Sequence, residues 1–370
     1  MTFMIISFIW SLSQPLKMIT DPLDQKLLTL LQKEIPFETR PFETIADQLG
    51  TSELDIIQRI RRLRDEDKVI RQISAIFDTK SLGYKSTLVA MRFDEEDLDA
   101  GAAVINRHPG VSHNYKRNAD FNLWFTVAVP PKDSLEAHIN RLHEQSGSKQ
   151  TLVLPTLKLF KIGVKLDLTG KESKEEAAED IYDDSRRRSE PPDLSETDID
   201  MIRILQEDMP LVETPYQVLA QMLGFVQDEL FQMAQSFLSR GYMRRVAAIL
   251  HHRRAGFAAN AMVVWNIPKE KLPVIGPEMA RFREVSHCYE RPIFADWPYS
   301  IYTMVHAPKV QDCEEIVQRM EAKIGKWPHL NLFSTKEYKK IRLKYFTKEL
   351  DDWWLTSSAT AKRTVTSVNE

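Results

Sequence analysis

From residue 20 onward the chain alternates between two rhythms of apolar residues. Leu27, Leu28, Leu30 and Leu31 recur at helical spacing and predict an opening helix, because residues three and four apart share one helical face. A loop carrying Pro36 and Pro41 follows. The stretch TIADQLGTSELDIIQRIRRL then predicts a short helix, a turn at Gly50 and a second helix, the layout of a helix-turn-helix. The rhythm changes to strand-like alternation in VIRQISAIFD and STLVAMRFD. A helix over 98–107, the strands VSHNYKR and NLWFTVAV, and a helix over 132–145 complete the unit. The order β-α-β-β-α-β predicts a ferredoxin-like module behind a winged helix-turn-helix.

The same series is written twice. VSHNYKR at 111–117 returns as VSHCYER at 285–291, 174 residues later. At that offset Asp24 meets Asp198, Gln32 meets Gln206, Pro36 meets Pro210, Pro41 meets Pro215, Ala46 meets Ala220 and Gly50 meets Gly224. The register slips by one residue where Arg71–Ile76 matches Arg244–Ile249, then returns. A repeat of this length is a domain-sized unit, too long for a solenoid. The expected fold class is α+β, a tandem duplication of a winged helix-turn-helix plus a ferredoxin-like (βαββαβ) module. The expected divisions are an extension over 1–19, helix-turn-helix domains over 20–78 and 194–250, and ferredoxin-like domains over 79–168 and 251–355. A charged linker over 169–193, closed by Pro191 and Pro192, and a disordered tail over 356–370 complete the chain.

Composition narrows the function classes. A net charge of −3 offers no global basic field to draw the chain to nucleic acid. The two cysteines, Cys288 and Cys313, form no CxxC and no disulfide framework, which fits a reducing cytoplasm. The opening stretch MTFMIISFIWSLSQPLKM is apolar but lacks a basic start and is too short to span a bilayer. It reads as a disordered or packed extension, with a start at Met18 or a signal peptide as alternatives. No membrane association is expected.

The order of elements resembles the Lrp/AsnC family of transcription regulators over nearly all of residues 20–350, in both units. The resemblance implies that the two ferredoxin-like modules pair face to face around a pseudo-two-fold axis and bind a small molecule. It also raises DNA binding, against which the charges speak. A recognition helix reads bases with its N-terminal turns, and here those turns carry Glu53 and Asp55, and Asp228 and Glu229, which phosphates would repel. Arg59, Arg61, Arg62 and Arg64 lie in the C-terminal half of the first such helix. No nucleic-acid partner is expected.

The repeated phrase carries the candidate chemistry. Residues two apart share a strand face, so His113, Tyr115 and Arg117 point one way, as do His287, Tyr289 and Arg291. These groups are poor core material. Nearby stand Phe121, Trp124 and Phe125, and Trp297, Tyr299 and Tyr302, some of them core and the rest free to wall a flat pocket. Aromatic walls, imidazoles and guanidiniums together suit an iron porphyrin. Its plane packs on apolar surface, its iron accepts an imidazole nitrogen and its carboxylates pair with Arg.

At these residues the chain resembles the siroheme decarboxylases, which occur as paired A and B subunits or as the related D, L, G and H subunits of the heme d1 pathway. VSHNYKR…FNLWFT is similar to the A-type or D-type motif. VSHCYERP…DWPYSIYTMVH is similar to the B-type or L-type motif. The resemblance implies an A–B fusion that removes the carboxyl groups of two acetate side chains of siroheme, giving 12,18-didecarboxysiroheme. It implies no added cofactor, since the substrate brings its own iron. His113 and His287 are candidate axial ligands of that iron. His113, His287, Tyr115 and Tyr289 are candidate acids for the carbon left by carbon dioxide. Arg71, Arg117, Arg244 and Arg291 are candidate carboxylate clamps, and Trp124 and Trp297 candidate walls. One pocket between the halves is expected to carry the reaction. The A-type motif also implies a second His where this chain has Ala119. A carrier or sensor of heme or siroheme, and a ligand-responsive regulator, are the alternatives; association into a homo-oligomer is left open.

Overall fold

The computed structural model describes residues 21–162, 192–250, 259–307 and 309–356. The expected extension over 1–19, nearly all of the linker over 169–193 and nearly all of the tail over 356–370 lie outside the described residues.

Each unit opens with three helices: α1 (Pro22–Lys33), α2 (Pro41–Leu49) and α3 (Glu53–Arg61), with second-unit counterparts α6 (Glu196–Leu205), α7 (Pro215–Met222) and α8 (Gln227–Ser239). Asp21 caps α1 by accepting from the amides of Leu23 and Asp24, and Ser195 caps α6. The turns are made by Gly50 (φ 68°) and Gly224 (φ 73°), in the left-handed region that residues with a Cβ enter reluctantly. The apolar faces of the six helices merge in one core, in which Leu27, Ile45 and Ile60 join Met201, Tyr216 and Phe237.

The strands that follow are β1 (Ile70–Phe77) and β7 (Met243–Leu250). They do not open the ferredoxin-like sheets. They pair antiparallel with each other, Ala75 opposite Val246, as a separate two-stranded sheet. Pairing across the pseudo-two-fold closes an edge that each strand alone would leave open.

The first α/β module comprises β2 (Lys85–Arg92), α4 (Leu98–Asn106), β3 (Val111–Arg117), β4 (Leu123–Val129), α5 (Leu135–Ser146) and β5 (Gln150–Leu154), followed by β6 (Lys158–Ile162). The second comprises β8 (Ala259–Trp265), α9 (Leu272–Ala280), β9 (Val285–Glu290), β10 (Ile301–Ala307), α10 (Val310–Ile324) and the long β11 (His329–Lys340). Among the described residues these strands run β5-β2-β4-β3-β11-β8-β10-β9-β6. Each module keeps the ferredoxin-like order, and the modules are stitched at two seams. β11 pairs with β8 through His329–Phe333, then crosses to pair with β3 from Ser334 onward. On the other side Pro155, which cannot donate to a ladder, separates β5 from β6, and β6 pairs with β9 of the opposite module.

Helices cover the outer face of each sheet. The inner faces meet in a shared core where Ala90, Trp124, Leu152 and Leu154 pack with Met262, Val264, Tyr302 and Leu332. A helix over residues 348–356 then returns to the first module. Its Trp353 and Trp354 rings lie against His138, and Arg141 lies 3.5 Å from the centre of the Trp354 ring.

Candidate active site

The ladder registers decide where the repeated phrase points. His113 lies opposite Thr126 and Tyr115 opposite Trp124. Residues directly opposite share a face, and Trp124 belongs to the core between the sheets, so His113 and Tyr115 face that space. In the second half His287 lies opposite Met304 and Tyr289 opposite Tyr302, again on the inner face. The ring pairs match: 6.2 Å between His113 and Tyr115, and 5.9 Å between His287 and Tyr289.

Arg117 and Arg291 repeat the symmetry. Each is buried and reaches across a seam into the opposite half. Arg117 Nη1 donates to the Leu332 carbonyl at 2.7 Å, and Arg291 Nη1 donates to the Leu154 carbonyl. Each guanidinium lies near aromatic faces: Arg117 is 5.6 Å from the Tyr115 centroid, and Arg291 is 5.0 Å from Tyr289 and 5.5 Å from Tyr302. Among the described residues neither makes an ion pair with a carboxylate, and neither Nε has a partner. Burial brings Arg117 down to about 10 and also lowers Arg291.

The two phrases stand on strands that border different seams. β3 borders the seam with β11, whereas β9 borders the seam with β6. Trp124 and Trp297 stand in the core between the sheets, 5.5 Å apart, and not against an open space. Trp124 Nε1 donates to the Phe121 carbonyl and Trp297 Nε1 to the Tyr302 hydroxyl. The two remaining arginines lie on the separate two-stranded sheet. Arg71 Nη2 donates to the Lys340 carbonyl, and Lys340 pairs with His113, so Arg71 stays near the first seam. Arg244 is held in an ion pair with buried Asp78 at 2.6 Å.

A cavity of about 490 Å³ opens at the first seam, bordered by Lys116, Arg117, Asn118, Ala119, Asn122 and Lys336. Ala119 is half-buried beside the inter-sheet core and places no imidazole there. Asn118 is occupied with β11, accepting from the Phe333 amide at 2.7 Å.

The sequence reading gave no role to the serine of the phrase. Ser112 Oγ lies 2.9 Å from His113 Nδ1 and 2.9 Å from Thr126 Oγ1. Ser286 Oγ lies 2.7 Å from His287 Nδ1 and 2.6 Å from His306 Nε2. The repeated Ser-His dipeptide was the available signal. The contact with His306 required the ladder.

In the helix-turn-helix units the arginines of the first recognition helix are engaged internally. Arg59 pairs with Asp21, Asp24 and Asp55, Arg62 with Asp24 and Asp67, and Arg64 with Asp65 and Asp208 of the other half. Arg61 donates to the Leu211 carbonyl. At the second helix Gln227 donates to Thr39 across the halves.

Two AsnC-type modules closed on each other, with His, Tyr and buried Arg at both seams, define a tandem ligand-binding protein on a regulator-like scaffold. Residues 81–161 and 254–339 match the AsnC-like ligand binding domain, and residues 24–71 and 198–244 match the siroheme decarboxylase NirDL-like HTH domain. The chain is 38% identical to a siroheme decarboxylase of Hydrogenobacter thermophilus over 89% of its own length and 96% of that protein. A siroheme decarboxylase beta subunit of Methanosarcina barkeri is 38% identical and covers 40% of the chain, with 97% of the subunit aligned. The crystal structure of the siroheme decarboxylase NirDL in co-complex with an iron-uroporphyrin III analogue superposes with a TM-score of 0.73 at 31% identity, covering 92% of this chain and 99% of that one. The chain belongs to the siroheme decarboxylase family, a family of carboxy-lyases.

Proposed function

We propose that the chain decarboxylates siroheme, removing the carboxyl groups of two acetate side chains to give 12,18-didecarboxysiroheme on the way to heme or heme d1. The observation that carries the reading is the pair of buried guanidiniums, Arg117 and Arg291, without a carboxylate partner among the described residues. Burying an uncompensated charge costs several kcal/mol in order of magnitude. A substrate rich in carboxylates supplies the missing counter-charges.

When the bond from the acetate methylene to its carboxylate breaks, carbon dioxide leaves and the electron pair stays on the methylene carbon. A proton must then reach that carbon to complete a methyl group. His113, Tyr115, His287 and Tyr289 face the inter-sheet space as donors, and the two imidazoles are also candidate axial ligands of the substrate iron. Arg117, Arg291 and Arg71 hold carboxylates that are retained; Arg244, already paired with Asp78, is the weakest of the four clamps. The substrate iron is the metal of the site, and no added cofactor is invoked. The two free, buried cysteines suit a cytoplasmic protein. Among the described residues no helix is long and apolar enough to cross a membrane.

The test is anaerobic incubation with siroheme, followed by mass spectrometry of the tetrapyrrole. Loss of two carbon dioxide units is expected. Tight binding with unchanged mass would make the protein a carrier or sensor and refute the enzymatic reading.

A further inference from the structure

The two seams are built alike but not equipped alike. In the first, Ser112 holds His113 Nδ1 and leans on a second hydroxyl, that of Thr126. In the second, Ser286 holds His287 Nδ1 and leans on the His306 imidazole. Val127 pairs with Val111 and Val305 with Val285, so the position matching His306 in the first half is Ala128. The serine–imidazole–imidazole chain is therefore confined to the second seam among the described residues.

We propose that the second seam is the reacting one and that Ser286 and His306 are positioning residues for His287 there. The inference rests on the decarboxylase reading and goes further by naming the seam and the residues that orient its imidazole. Ser286, gripped from its other side by His306, fixes the plane of the His287 ring through Nδ1 and turns Nε2 away from the serine. Partners of this kind set which nitrogen of an imidazole is available and how its ring is aimed. The Thr126 hydroxyl, on a short side chain that does not share the imidazole's two-nitrogen geometry, gives His113 a weaker hold.

The experiment compares Ser286→Ala and His306→Ala with Ser112→Ala, following single-turnover decarboxylation and the visible spectrum of bound iron uroporphyrin III. Losing such a partner costs on the order of 10–100-fold. That loss is expected in kcat for both second-seam variants, with KM nearly unchanged and with the same spectral change as in His287→Ala. Ser286→Thr and His306→Gln, which keep a hydrogen-bonding group in place, should recover much of it, which separates positioning from damage to the fold. His143→Gln, which disturbs hydrogen bonds to Ser148 and Thr151 on the helix-covered face of the first sheet, turned away from the space between the sheets, should leave turnover as in the wild type. A loss in Ser112→Ala as large as in Ser286→Ala would overturn the proposal. So would wild-type kcat and spectrum in His306→Ala. If the wild type binds the porphyrin without decarboxylating siroheme, the spectral arm still reports on the seam, so the two readings fail separately.

Discussion

At the scale of single residues, the buried arginines and histidines make opposite statements about what the folded chain wants. Arg117 and Arg291 are charged and short of counter-charge, so ligand binding should stabilise the protein through them. Binding raises stability as the logarithm of ligand concentration over Kd. The thermal shift given by iron uroporphyrin III should therefore shrink markedly in Arg117→Met and Arg291→Met, with Kd rising about tenfold or more as a charge-assisted bond is lost. An unchanged shift in both variants would remove the guanidiniums from the binding account. His108 and His138 are instead a neutral pair. His108 Nε2 and His138 Nδ1 are 2.8 Å apart, and His108 Nδ1 accepts from the Gly110 amide. Burial, with a smaller push from His138 and Lys339, holds His108 well below its ordinary value; burial, with Arg141, brings His138 down to about 4. The unfolded chain binds protons here between about pH 6.5 and 4 while the folded chain does not, so stability falls as pH drops through that window. The slope contributed is up to about 1.4 kcal/mol per pH unit per histidine. Denaturation from pH 7 to 4.5 should show a shallower fall in His138→Gln than in the wild type.

At the scale of elements, the crossing strands do the joining. Lys339 of β11 donates to the carbonyls of Asn106 and His108 at the end of α4, and Lys161 of β6 donates to Phe282 just beyond α9. Each half thus caps a helix of the other, with cations placed where the helix dipole is negative. Gly276 in α9 has its position dictated by the same crossing, because an added Cβ would overlap the ring of Phe160 on β6. Gly276→Ala should cost about 1–3 kcal/mol by overpacking. Adding Phe160→Leu should return part of that loss, a coupling readable in a double-mutant cycle of chemical denaturation. Strict additivity would mean that β6 does not pack on α9 in solution.

At the scale of the whole molecule, the helical core, the β1–β7 sheet and the nine-stranded sheet each draw on both halves. Each half keeps a helix-covered core of its own, but the helical core and the core between the sheets are shared by both, so the chain should unfold in one cooperative step. Calorimetric and van't Hoff enthalpies should agree, and two separate transitions would contradict the shared cores. A relative named as a beta subunit aligns with 40% of the chain and one named as an alpha subunit with 39%.

The duplication, the order of elements and the repeated Ser-His-x-Tyr-x-Arg phrase were legible in the sequence, because spacing and side-chain alternation are properties of a chain read in order. The two glycine turns were legible for the same reason, since a left-handed residue leaves its mark locally. What the tertiary structure decided lies in contacts between residues 100 to 270 positions apart. It moved Arg71 and Arg244 onto a strand pair of their own. It turned Trp124 and Trp297 into part of the core between the sheets and gave Arg244 to Asp78. It also set His306 against Ser286, 20 residues back but one strand over. Periodicity reports which face a residue takes, whereas its neighbours across the sheet follow from strand order and register, and those are settled only when the two halves close on each other.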